Sequence, residues 1–292
     1  MSNGEVIVSG GNAGGGLIRT CEALLPYARF NPESTALEAF LANTNGGAEI
    51  GFGDLTAVKT PSGGGQFWEI SIPGLPPESV PALEGVIVFQ SLGGILWPSL
   101  ENNSGDKPVV VTRDMRLGKI TATATRNEAG DIVELAGVYD QQMVSTISRL
   151  ELRDRRGFLP WNELPYTQFG SGRNGNGKFV KEGYTFFLQR KSGILPLMLR
   201  TSPSAIKPIR AFLFNTEVPY WRAVVRITLK KESSQVPDPS RPGAMKNQDY
   251  SVPVLTLVDT LPPEAGDIIK STVHSKLAEM WTGGAIDVQV GD

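Results

Sequence analysis

The residues best suited to chemistry in this chain are cations interleaved with aromatic rings between Arg173 and Lys231. That stretch holds twelve Lys and Arg against two acids, Glu182 and Glu217, a net +10 in a chain whose total is −2. The remainder therefore sums to −12. Phe179, Tyr184, Phe186, Phe187, Phe212, Phe214, Tyr220 and Trp221 lie among the charges. Clustered positive charge lowers the energy of a nearby polyanion, and flat rings beside it offer faces on which unpaired bases stack. The pattern points to a nucleic-acid strand as partner, although any single ring also reads as core.

Other chemistries are constrained by what the chain contains. Cys21 is the single cysteine, so an intrachain disulfide and a Cys-based zinc site are excluded. His274 is the single histidine, and a Ser-His-Asp triad would have to use it. It falls in a predicted helix with no companion motif, and an exposed or capping role is expected. Carboxylate-based metal catalysis is compatible with 30 Asp and Glu, but no compact D-x-D or E-x-x-E cluster stands out. After the strand-like EVIVS of residues 5–9, Gly10 and Gly15 have the spacing that opens G-x-x-x-x-G-K-[ST]. Gly16 and Leu17 stand where the Lys and hydroxyl belong, so GGNAGGG reads as a linker. No catalytic residue, cofactor or metal is expected.

The elements that must position the cations are mostly strands. The 33 Gly and 21 Pro favour short strands and turns over long helices. Helical patterns are confined early on to 20–29 and 33–42. QFWEISIP (66–73) reads as a strand, 74–81 as a Pro-rich connection. GVIVFQ (85–90), KPVVVT (107–112), KITATATR (119–126) and IVELAGVY (132–139) follow as strands, with NEAGD a hairpin turn that uses Gly130. Residues 141–156 suit either a helix or a strand, and 157–165 reads as loop.

GYTFFLQR (183–190) and ILPLMLR (194–200) form a second hairpin candidate around KSG. A helix starts near Lys207, because Pro208 is tolerated only in a first turn; Ile209, Phe212 and Leu213 form its buried side. In WRAVVRITLKK (221–231), Trp221, Ala223, Val225, Ile227 and Leu229 point one way. Arg222, Arg226 and Lys230 point the other, about 13 Å apart, a spacing that tracks a phosphate backbone. Residues 233–250 read as a mobile hairpin loop and 252–258 as the partner strand. A helix follows from Pro262 to about Trp281.

The order FGSG(x)nGK, YTFFL, LPLMLRTSPSAIKPIRAF, VPYWRAVVRITLKK, VPVLTLVDTLPPEAGDII resembles phage and mobile-element single-stranded DNA-binding proteins of OB-fold type. The resemblance covers roughly 83–280. It implies a mainly β, β-rich α+β chain. The expected arrangement is a Gly-rich N-terminal region (1–82), an OB-like antiparallel β-barrel with a C-terminal helix (83–282) and a short tail (283–292). In the relatives, a C-x-x-C-P and G-K-x-C pattern places cysteines where this chain has Trp161, Leu164 and Val180. An apolar cluster is expected to replace that metal knuckle.

On such a platform Tyr184, Phe186 or Trp221 would stack on bases. Arg190, Lys191, Arg222, Arg226 and Lys230 would meet phosphates, and Arg173, Lys178 and Lys181 would close over the strand. The expected function is sequence-tolerant binding of single-stranded DNA, or RNA, in phage or mobile-element replication or recombination, with self-association along the polymer. A virion or scaffold assembly protein is the alternative, and a metal-dependent nuclease the third reading. With no run near the roughly 20 apolar residues of a membrane helix and no signal-like N-terminus, a cytoplasmic location is expected.

Overall fold

The computed structural model describes residues 55–61, 63–71, 76–100, 107–175, 177–190, 196–237, 240 and 244–282, and strands with apolar inner faces make up its largest share. In chain order the elements are β1 (Ala57–Lys59), β2 (Trp68–Ile70), β3 (Glu78–Val80), β4 (Ala82–Leu96), β5 (Val110–Thr112), β6 (Leu117–Ile120), β7 (Ala124–Arg126) and β8 (Ile132–Leu135). Then come α1 (Gln141–Leu150), β9 (Phe158–Pro160), β10 (Lys181–Gln189), β11 (Leu197–Arg200), α2 (Ile206–Asn215), β12 (Ala223–Pro237), β13 (Met245–Thr260), α3 (Pro263–Ile269) and α4 (Ser275–Thr282). The chain is mainly β with added helices, as the sequence indicates. The expected strand at 5–9, the linker after it, the helices at 20–29 and 33–42, the KSG turn and the tail lie outside the described residues. No helix among the described residues is long and apolar enough to cross a membrane.

The chain divides into two compact units, one formed by described residues 55–90 with 186–282 and the other by 91–185. The boundaries fall inside β4 and β10, whereas the sequence suggested a break at 82/83.

In the first unit the strand order is β1-β11-β10-β4, with β12 paired to β4 and β13 to β12. β1 runs parallel to β11, and β12 runs antiparallel to both β4 and β13. The sheet is thus mixed, and no pairing among the described residues joins β1 to β13 to close it. β2 and β3 form a separate hairpin, so part of the expected Pro-rich connection is a strand. Phe89 and Phe187 pack under α3 and α4 against Ala265, Ile269, Val273, Leu277 and Trp281. These apolar positions, each four residues apart, face the sheet as the predicted C-terminal helix requires. A π-helical turn, Lys270–His274, joins α3 to α4.

β12 and β13 are much longer than the sequence suggested, because the polar stretch 233–250 continues the ladder as a ribbon through Pro237 and from Met245. β12 touches β4 only over Val224–Thr228. The ribbon's base is anchored where Trp68 Nε1–H donates to Ile227 O at 3.0 Å and Ser251 Oγ–H to Gly65 O at 2.8 Å.

In the second unit the latter half of β4 pairs with β5, then β6, then β9, all antiparallel. The predicted strand over 119–126 is split. Thr121 N–H turns to Val109 O, and β7 pairs instead with β8 around Gly130, whose φ of +87° suits the expected turn. The undecided stretch 141–156 begins as helix α1, since the Asp140 carboxylate caps it by accepting from Gln142 and Met143 N–H at 2.9 and 3.3 Å. Arg126 grips Glu151 with two hydrogen bonds of 2.7 Å, tying the β7–β8 hairpin to the end of α1.

Candidate nucleic-acid interface

The eleven residues singled out from the sequence do not form one exposed platform. Phe186 is 0 % and Tyr184 7 % exposed. β10 is a central strand covered on both faces, so neither ring presents a face to a base. Phe187, pointing opposite to Phe186, is buried as well. Trp221 lies in a 3-10 turn, Tyr220–Arg222, rather than in β12, and it packs with Val224 against the helix-covered core. The turn breaks the alternation, so Trp221 does not share the face of Val225. Its ring already carries a cation, the Lys270 ammonium 5.1 Å from the centroid.

Most of the strand cations have local partners. The Arg190 guanidinium meets Glu78 at 3.1 Å, Arg226 meets Glu84 at 2.8 Å, and Lys230 meets Glu232 at 3.1 Å. Arg222 is half-buried, donates from Nε to Leu261 O at 3.0 Å and packs its stem on Gly266. Of the expected four-residue spacing, only Arg226 and Lys230 lie exposed on β12. Lys191 lies outside the described residues.

The second unit holds a different arrangement. Trp161, Leu164 and Val180 are all buried in one apolar cluster, as expected. Burial of side chains this size contributes roughly 1.5–3 kcal/mol each. The cluster supports the loop of residues 166–180, in which Tyr166 and Phe179 pack edge to face at 5.2 Å. Ser171 fastens the loop from within: its hydroxyl lies 2.7 Å from Gln168 O and 2.9 Å from Tyr166 O and accepts from Phe179 N–H at 3.0 Å. Gly170 N–H donates to Gly177 O at 2.6 Å, and positive φ at both glycines lets the chain close there.

Phe169 lies on this closed loop, four residues before the start of the basic run. Phe169 is 83 % exposed. Arg173 and Lys181 are exposed on the same loop and its exit strand, and Lys178 is exposed while bridging to Glu182 at 2.7 Å. A ring this exposed, with cations on the same short loop, can stack on a base while they hold its phosphates. Phe169 was not singled out from the sequence. Its signal is modest: an aromatic between Gln168 and Gly170 in a segment without apolar periodicity, where nothing calls for a core side chain.

His274 is not exposed. Its Nε2 lies 2.8 Å from the Tyr220 hydroxyl, with Phe89 and Trp221 around the ring. Burial, with Lys270 nearby, holds its pKa below 6.5. Burial pushes Tyr220 up to about 12. These groups brace α3 and α4 against the 220–222 turn. Among the described residues no group of three His, Cys, Asp or Glu side chains is placed to hold a metal.

Comparison with protein-family models, curated proteins and solved structures found no match to this chain.

Proposed function

We propose that this chain binds single-stranded nucleic acid, DNA foremost, with little preference among bases. The observation that carries the reading is the 83 % exposed Phe169 on a fastened glycine loop with Arg173, Lys178 and Lys181. The excess of +10 between Arg173 and Lys231 supports it, since such charge attracts a polyanion whatever its sequence. The OB-type assignment, and a role in phage or mobile-element replication or recombination, rest on the resemblance in residue order. Anisotropy of labelled oligo(dT) tests the reading: binding at low salt, falling linearly in log–log with added salt, and similar affinity for mixed-base oligonucleotides are expected. Failure of the protein to bind any oligonucleotide at low salt would end it.

One observation favours the assembly reading. Leu257 and Val258, adjacent on β13, are each 45 % exposed, and no further strand among the described residues pairs with β13. An apolar edge of this kind is a template for pairing with another chain. Regular self-association without nucleic acid, seen by size exclusion and electron microscopy, is what that reading requires.

A further inference from the structure

We infer that the outer face of α2 is a second contact for the polynucleotide, an inference that rests on the nucleic-acid reading above. Lys207, Arg210 and Phe214 stand at i, i+3 and i+7, which places them on one side of the helix. All three are exposed, and Phe214 is 90 % exposed. The opposite side is anchored by buried Ile209 with half-buried Phe212 and Leu213, so the exposed stripe is held still. Seven residues at about 1.5 Å each extend roughly 10 Å, the run of about three phosphates in a stacked strand.

Three observations point to an anion here. Neither Lys207 nor Arg210 has a carboxylate partner among the described residues, in contrast to Arg190, Arg226 and Lys230. Both lie in the N-terminal half of α2, whose first turn contains no acid. Cations near a helix N-terminus oppose the helix dipole, so they do not serve helix stability there; instead they add to its attraction for a negative group. Finally, a groove of about 660 Å³ between α2 and β13 opens on the helix flank, walled by Ala211, Phe212, Leu255 and Leu257. It gives a base next to the one on Phe214 an apolar wall; Glu217 is the acid on its lining. The stripe thus offers phosphates two cations and a base one ring.

The test uses the full chain and labelled oligo(dT). Phe214→Ala should weaken binding roughly 5- to 150-fold through loss of one stack. Lys207→Glu with Arg210→Glu should reduce the magnitude of the salt slope by about 1.4, the share of two phosphate contacts. Phe214→Trp should add a fluorescence signal that oligo(dT) quenches. Phe169→Ala, in the other unit, is the comparison. If the wild type binds and Phe169→Ala weakens it while the α2 variants leave affinity, slope and quenching unchanged, the inference falls and the nucleic-acid reading stands. If the wild type does not bind, both fall. If the α2 variants alter elution volume without DNA and leave affinity untouched, the face is a protein contact and the inference is overturned. All the α2 changes are at exposed positions, and circular dichroism checks that the fold is kept.

Discussion

β12 and α2 both contribute to the same run of positive sequence, yet the structure treats their charges in opposite ways. On β12, register supplies partners: Arg226 stands directly across from Glu84 of β4 and pairs with it, and Lys231 reaches Asp249 of β13 at 2.5 Å. Lys230 finds Glu232 two residues on, the spacing that returns a strand to the same face. On α2, the positions three and four residues from Lys207 and Arg210 hold no acid, so both charges stay open to solvent. A charge tally therefore measures supply, while strand register and helix spacing decide what is available to a partner. Exposed pairs are worth only about 0–1 kcal/mol, so a phosphate chain can still compete for the β12 cations.

The largest perturbation removes the support beneath the loop. Trp161→Ala should cost about 3–5 kcal/mol in denaturant unfolding, since it empties the centre of a buried cluster. At temperatures where the variant remains folded, the contribution of Phe169 to oligonucleotide binding should shrink while that of α2 persists. Equal loss of both contributions would contradict their independence. Next in size is the Arg126–Glu151 pair. Glu151→Gln should cost about 1.5–3 kcal/mol, because a carboxylate gripped by a guanidinium and by Gly157 N–H is lost. The Arg126 hydrogen bonds hold the Glu151 pKa below 4.5. Its stabilisation is therefore present above 4.5 and lost as pH falls through the lower folded value, and the variant should lack that acid slope.

Much of the scaffold was legible. The alternation Ala223, Val225, Ile227, Leu229 is the buried side of β12, Pro208 marks the first turn of α2, and Ile269, Val273 and Leu277 face the core. The Trp161–Leu164–Val180 cluster was expected from the resemblance alone, and the three side chains are buried together. What escaped has a common cause: it depends on residues distant in sequence. The parallel pairing of Ala57–Lys59 with Met198–Arg200 has no local signal. Tyr184 and Phe186 are covered because β10 is central, a matter of strand order. Trp221 left its expected face because Arg222 N–H closes a turn on Pro219 O, one residue before the strand begins. The π-helical turn at Lys270–His274 keeps the apolar spacing of a longer helix and so left no trace in the pattern.

His274 provides a contrast between a charge that is paired and one that is excluded. Burial among aromatic rings first, and the Lys270 cation second, disfavour the imidazolium. Since the folded pKa lies below the unfolded 6.5, the unfolded state binds more protons between the two values. Stability should rise with pH across that window and level off above 6.5; His274→Phe should flatten the rise. Tyr220 acts at the other end, where stability should fall from about pH 10, as the unfolded phenol ionises, to about 12. Because this is the chain's single histidine, its imidazole proton resonances follow the first transition directly.

The smallest effect addresses the comparison itself. Glu84→Gln removes the partner of Arg226 and should change stability by less than about 1 kcal/mol, as expected for an exposed pair. Binding separates the two possibilities. If the polynucleotide passes along β12, the freed guanidinium gains a phosphate and the salt slope steepens by about 0.7. If the slope is unchanged, the Arg226–Glu84 pair serves sheet register alone. Contact would then be confined to the Phe169 loop and α2. The measurement thus decides whether Glu84 on β4 holds Arg226 in reserve or removes it from the interface.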